Sequence, residues 1–327
     1  MSFDCSQLVK DHYGLKASSY VPIRMNKRTV LYRVDTPEGK YILKSFYVHE
    51  PRLQFILEAE RYLRKKGIKI PAVIPTTNKR LYIQLNGRFF VLQQYINAQP
   101  YKLSKEYNMN GLFKLLGKIH FSSLGFQPSM ANVQFGVSRW ELEYEQVLHE
   151  LDKWKIENRK SDCEKKKILM ESMDFFFKAG RAVKRRLDSL PSYIQWKSKH
   201  LTKQFLCHRD FHIGNLLYRK PDIYVIDWEF VKYDLPSRDI DYLITNMFDH
   251  DKRWDPKQFK TVFNQYLKEN PLTPEQQKLI FMGLSFPHEF HRFLKRKYYL
   301  RMTVPEIQGF THTQRCKIEW MQEERNL

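Results

Sequence analysis

The sequence predicts an α+β fold in two lobes, a small antiparallel β lobe carrying one main helix and a larger, mostly helical lobe. Three observations lead there. Period-two apolar alternation punctuated by turn residues is concentrated in roughly the first hundred residues. Charged segments with helical spacing fill much of the remainder. At 327 residues and 39.7 kDa, the chain is long enough to bury two cores. The expected division is 1–96 for the first lobe and 97–327 for the second.

Taken in order, Thr29 to Val34 and Lys40 to Phe46 alternate as two strands around the turn Asp35-Thr36-Pro37-Glu38-Gly39. In the second strand Lys44 follows Leu43, so alternation sends it to the opposite face. Pro51 to Lys66 carries Leu53, Ile56, Leu57, Tyr62 and Leu63 at mixed helical spacing and stops near Gly67, which predicts a helix. Glu58 and Glu60 both lie on it. Beyond Pro71, Arg80 to Gln84 and Arg88 to Gln93 flank Asn86-Gly87, the residue pair that a tight hairpin favours. Gln94-Tyr95-Ile96-Asn97-Ala98-Gln99-Pro100 then loses the alternation. A hinge is expected there, with a backbone able to meet the edge of an adenine ring. A helix over 110–123 follows, and 140–190 is helix-rich, with Trp154, Phe175, Phe176, Phe177 and Leu187 as expected core positions.

Composition narrows the function classes. Apolar residues make up 42% and aromatics 15%, values of a globular rather than a disordered chain. No apolar run approaches the length of a membrane span, and Met1-Ser2-Phe3-Asp4-Cys5 does not begin a secretion signal, so a soluble, non-secreted protein is expected. Cys5, Cys163, Cys207 and Cys316 include no close pair, which predicts free thiols in a reducing compartment. With 56 Lys and Arg against 36 Asp and Glu, the formal charge is +20 and the surface attracts polyanions. Its basic groups, such as Lys165-Lys166-Lys167 and Lys184-Arg185-Arg186, follow no nucleic-acid-binding motif and read as solvated helix faces ahead of a dedicated site.

The densest chemistry lies in His208-Arg209-Asp210-Phe211-His212-Ile213-Gly214-Asn215, followed twelve residues after Asn215 by Asp227 at the end of Ile223-Tyr224-Val225-Ile226. An Asp that accepts a hydroxyl proton, an Asn five residues on that holds Mg²⁺, and an Asp ending the next strand that bridges metal to phosphate form a kinase catalytic set. Four intervening residues let a loop turn back and aim Asp210 and Asn215 into one pocket. Apolar Phe205-Leu206-Cys207 precedes the motif, and Leu216 to Tyr218 and Tyr224 to Ile226 read as strands around Lys220-Pro221-Asp222. The competing reading is a hairpin with a capping Asp and a packed His. His208 and His212 lack two further zinc ligands, His288-Glu289-Phe290-His291 is one residue short of the His-Glu-x-x-His pattern and reads as a helix face, and His120 reads as a packed helix histidine.

With Lys44, Gln94-Tyr95-Ile96, Leu116-Gly117-Lys118-Ile119-His120, Ile226-Asp227-Trp228-Glu229 and Arg238-Asp239 added in that order, the chain over roughly 20–300 resembles the aminoglycoside phosphotransferase and choline kinase group. Within it, His120-Phe121-Ser122-Ser123-Leu124-Gly125-Phe126, Leu190-Pro191-Ser192-Tyr193 and Ser285-Phe286-Pro287 resemble the kinase-like spore coat proteins, relatives of spore coat protein S. The resemblance implies a bilobal protein-kinase-like fold and transfer of the ATP γ-phosphoryl group to a hydroxyl acceptor. It implies Asp210 as base, Asn215 and Asp227 as Mg²⁺ ligands, Lys44 as phosphate ligand, Gln94 and Ile96 as adenine contacts and Asp239 as a brace of the catalytic loop. It also implies sporulation, with expression in the mother-cell cytoplasm, then the spore coat, and with other coat proteins or anionic polymers as partners.

Three departures from the group bear on activity, the first being that the helical glutamate expected to pair with Lys44 is displaced or ambiguous between Glu58 and Glu60. No glycine occurs between Gly14 and Gly39, where a glycine-rich phosphate loop would bring backbone close to phosphates; Arg24, Lys27 or Arg28 would have to compensate by charge. Arg209 stands where small-molecule kinases often have glycine. Two further readings therefore accompany the spore-coat kinase: a catalytically weak kinase-fold scaffold of the coat, and a small-molecule kinase of aminoglycoside or choline type unrelated to spores. A cationic drug would need an acidic acceptor pocket in this basic protein.

Overall fold

The computed structural model describes residues 4–25, 30–103, 108–129, 139–247 and 253–324. Its contacts divide the chain into two compact units. The first comprises Met1–Tyr101, Phe126–Gly136 and Gly214–Val231; the second comprises Lys102–Gly125, Val137–Ile213 and Lys232–Leu327.

In the first unit, helix α1 (Cys5–Tyr13) precedes strands β1 (Ser19–Met25), β2 (Val30–Thr36) and β3 (Gly39–Phe46), then helix α2 (Glu50–Lys65) and strands β4 (Val73–Ile74), β5 (Ile83–Leu85) and β6 (Arg88–Gln94). The strands form one antiparallel sheet in the order β1-β2-β3-β6-β4, with β5 on β6. Alternation decides what each face buries. Leu43, Phe90 and Leu92 pack with Cys5, Leu8 and Val9 of α1, whereas Phe46, Phe89 and Val91 pack with Leu53 and Leu57 of α2. Lys44 shares the α2 side with Phe46, its ammonium lying 4.9 Å from that ring. Three further segments, Gln99–Pro100, Leu216–Arg219 and Asp222–Val225, make a small antiparallel sheet.

The expected hairpins, the α2 helix and the Asn86-Gly87 turn are present, with φ of 50° and 71° at the two turn residues as such turns require. Four elements of this unit go beyond the sequence reading: β4, the short strand Gln99–Pro100, and the two described next. Helix α1 is nine residues long, with Asp4 accepting from the amides of Ser6 and Gln7. Strand β1 occupies 19–25, so Arg24 lies on a strand, while Lys27 and Arg28 fall outside the described residues.

The second unit is built of helices α3 (Met109–Ser123), α4 (Trp140–Asn158), α5 (Glu164–Ser189), α6 (Pro191–Ser198), α7 (Ser237–Met247), α8 (Pro256–Glu269), α9 (Pro274–Ser285), α10 (His288–Lys295) and α11 (Val304–Glu324). A two-stranded antiparallel pair, Phe205–Cys207 with Lys232–Asp234, accompanies them. Trp140, Tyr144, Phe176, Leu187, Phe286, Phe290 and Ile318 lie in its core, with Trp154, Phe175 and Phe177 partly buried against it, so the five expected core positions all contribute. Helices α3 and α8 approach closely at Gly117, where a Cβ would sit 2.5 Å from the carbonyl oxygen of Tyr266. The four cysteines are free thiols. Among the described residues, no helix is long and apolar enough to cross a membrane.

Candidate phosphotransfer site

The first unit contains a cavity of about 450 Å³ whose lining includes Lys44, Glu60, Gln94, Ile96, Asn215, Asp227 and Glu229. Five residues singled out in the sequence, Lys44, Gln94, Ile96, Asn215 and Asp227, thus meet at one place. Lys44 comes from the middle of β3, paired with Leu31 and Val91. Gln94 ends β6, and the chain beyond it supplies Tyr95, Ile96 and Ala98 to the same wall. Asp227 follows the strand Asp222–Val225, and the amide of Ile226 donates to the carbonyl of Asn215 at 3.0 Å, tying the two candidate metal ligands together.

Charge in the cavity is uneven. The Lys44 ammonium donates to the Asp227 carboxylate and stands 3.7 Å from Glu229. Glu60 is 3% exposed and accepts from Gln93 at 3.4 Å. Burial pushes its carboxyl up to about 7, against the pull of Lys44 and Arg64. The lining thus carries three carboxylates, Glu60, Asp227 and Glu229, against two cations, Lys44 and Arg24. Of the two α2 glutamates, Glu60 lines the cavity with Lys44, while Glu58 accepts from the amide and hydroxyl of Ser129 at 3.0 Å.

Asp227 has φ of 67°, the left-handed region that a non-glycine residue occupies only when its surroundings hold it there. Around it, Arg52 of α2 donates to the carbonyls of Glu229 and Val231 at 2.7 Å each, and the Val225 amide donates to the carbonyl of Lys69 at 2.9 Å.

Asp210 belongs to the second unit, in the loop after Phe205–Cys207. Its carboxylate lies 3.5 Å from His212 Nε2, and its amide donates to His208 Nδ1 at 3.3 Å. The loop is shaped by Asp239, fully buried, which accepts from the amides of His208 at 2.7 Å and Arg209 at 2.6 Å and meets His120 Nε2 at 3.1 Å. Burial alone would raise the Asp239 carboxyl, but His120 and these donors hold it below the ordinary carboxylate value. His120 is indeed a packed helix histidine, its Nδ1 2.9 Å from the Tyr266 hydroxyl. It lies near Asp239 and Cys207 in a fully buried group.

Arg209 has φ of 68°, which explains in backbone terms why glycine suits this position. Its guanidinium holds the conformation by donating to Asp234 and, at 2.5 Å, to Glu143 of α4. Burial opposes the charged form, yet the two carboxylates outweigh it and raise the Arg209 pKa. Asp234 also accepts from Trp140 Nε1 at 2.6 Å and from the Leu235 amide at 2.7 Å. The sequence reading did not assign Glu143, Asp234 or Arg52. Their only sequence signal is residue type, since their partners are far away along the chain.

The sequence pattern of the phosphotransferase enzyme family matches residues 22–276, which include every site residue described above. The chain belongs to the phosphotransferase enzyme family. This phosphotransferase-family chain is similar to spore coat protein S of Bacillus subtilis (strain 168), 24% identical over 285 residues that cover 86% of this chain and 81% of that protein. Its fold is shared with the aminoglycoside phosphotransferase of Alicyclobacillus acidocaldarius at a TM-score of 0.75, with 13% identity and coverage of 100% of this chain and 98% of that one. Amicoumacin kinase, solved with AMP-PNP and Ca²⁺, gives a TM-score of 0.64 at 17% identity over 97% of this chain and 93% of its own. A spectinomycin phosphotransferase, solved with ADP and spectinomycin, gives 0.57 at 20% identity over 94% and 97%. The phosphotransferase-like α+β fold expected from the sequence is therefore the fold observed.

Proposed function

We propose that this chain is an ATP- and Mg²⁺-dependent phosphotransferase that acts on a hydroxyl acceptor during spore coat assembly. The observation that carries the reading is the meeting of Lys44, Asn215 and Asp227 in one cavity rimmed by Gln94 and Ile96. The Asp227 and Glu229 carboxylates and the Asn215 amide oxygen are hard oxygen donors lining one cavity, so the donor set fits Mg²⁺. Mg²⁺, held by Asn215 and Asp227, would neutralise charge on the phosphate oxygens.

Lys44 orients the phosphates, and the backbone from Gln94 to Ile96 meets the adenine edge. Asp210 accepts the acceptor's hydroxyl proton as that oxygen bonds to the γ-phosphorus, and the bond to the bridging oxygen breaks to release ADP. Most of the rate from such an arrangement comes from positioning and electrostatics rather than from the basicity of the Asp. The likeness to spore coat protein S supports the setting: synthesis in the mother-cell cytoplasm, then residence in the coat among coat proteins or anionic polymers.

A second reading, a kinase-fold scaffold of the coat, is favoured by one observation. Strand β1 and its surroundings supply no glycine between Gly14 and Gly39 for a phosphate loop. Calorimetric titration with ATP, with and without Mg²⁺, separates the two. Mg²⁺-dependent binding that is lost in Asp227→Asn is expected of the enzyme; no binding at millimolar ATP would leave the scaffold.

A further inference from the structure

Resting on that nucleotide reading, we infer that Arg24 takes the place of a glycine loop, binding the nucleotide's phosphates with its guanidinium. Three observations converge on it. First, β1 and β2 pair Pro22 with Tyr32 and Arg24 with Leu31, so Ile23 is an extra residue and the register shifts at that point. Such a bulge re-aims side chains, and here the consecutive residues Ile23 and Arg24 both line the cavity, which strict alternation would forbid. Second, Arg24 and Lys44 are the two cations of the lining, and Lys44 is already engaged by Asp227 and Glu229. Third, no glycine lies between Gly14 and Gly39 to bring bare backbone against a phosphate. A guanidinium offers the alternative chemistry: planar, always charged, and matched to two phosphate oxygens at once.

The substitution of side chain for backbone has a measurable signature. Backbone amides and a guanidinium both attract phosphate, but only the guanidinium can be removed by mutation without touching the strand. Arg24 is exposed on β1, so replacing it leaves the core of the first unit intact.

The test is calorimetric titration of the full chain with adenosine, ADP and ATP in the presence of Mg²⁺. For Arg24→Gln, the ADP and ATP dissociation constants are expected to rise about ten- to a hundred-fold, the worth of hydrogen bonds to a charged group. The adenosine constant should stay unchanged, and Arg24→Lys should recover part of the loss. Equal ATP binding by the wild type and Arg24→Gln would overturn the inference while leaving the nucleotide reading intact. So would an equal weakening for adenosine, which would locate the effect in the strand rather than at the phosphates. Absence of ATP binding by the wild type itself would sink both.

Discussion

Two regions of this chain are rich in carboxylates, and they treat them in opposite ways. Around Asp239 the charge is surrounded by donors: two backbone amides and a ring nitrogen converge on one buried carboxylate, and next to it Asp234 and Glu143 close on Arg209. Around Lys44, three carboxylates share the lining with two cations, and one of the three, Glu60, is driven by burial toward its neutral form. The first arrangement is satisfied by the protein alone and therefore stiffens the loop that carries Asp210. The second leaves the Asp227 and Glu229 carboxylates sharing one lysine and therefore favours a cationic ligand beside them. Stability is invested at the brace; binding potential is kept in the cavity.

The comparison is broken most directly at the brace. Asp239→Ala removes the acceptor from the buried amides of His208 and Arg209 and from His120, leaving polar groups unpaired in the interior. The expected loss is about 3–5 kcal/mol, the range for breaking a buried charged network. Urea unfolding should show a greatly lowered midpoint with little change in slope. A loss below about 1 kcal/mol would mean the loop holds its shape without Asp239, and the brace would be no brace.

The cavity predicts a pH effect of the other kind. The Glu60 carboxyl sits at about 7 in the fold against an ordinary value of 4.5, so the folded chain holds this proton more tightly than the unfolded one. The stability it favours is complete below the unfolded value and declines as pH rises from 4.5 to about 7. The full excursion corresponds to about 3 kcal/mol. Glu60→Gln stays neutral throughout, so its stability should fall less than the wild type's between pH 5 and pH 8, as read by urea midpoints at the two values. Parallel curves would show that Glu60 ionises freely in the fold and that the cavity's charge is not frustrated.

How much of this was legible beforehand follows from the range of each interaction. The β2–β3 hairpin, α2 and the strands on either side of Lys220-Pro221 are local patterns, and they appear where alternation, helical spacing and turn residues put them. Strand β1 escaped because Pro22 lies within it, and proline demotes a strand reading. The choice between Glu58 and Glu60 needed the sheet, since only contact with Gln93 and with Ser129 separates them. The anchors of Arg209 were out of reach, Glu143 lying 66 residues away and Asp234 25. Nothing in their local sequence marks Glu143 and Asp234 as partners of Arg209; the fold brings them together.

The smallest expected effect sharpens the line between the two regions. Arg52 stands on α2 beside the cavity, yet its two bonds to the carbonyls of Glu229 and Val231 are structural, like those of the brace. Unlike the amides at Asp239, these carbonyls keep further lone-pair capacity, and Arg52 is only partly buried, so water can replace part of what is lost. Arg52→Met should therefore cost about 1–2 kcal/mol, well short of Asp239→Ala. Its effect should also be local. Hydrogen exchange is expected to quicken at the amides from Trp228 to Val231 while the β3 and β6 amides keep their protection. If exchange rises evenly across the whole sheet instead, Arg52 contributes to the unit's global stability, and holding Asp227 in its left-handed conformation is a task shared by the core rather than assigned to one side chain.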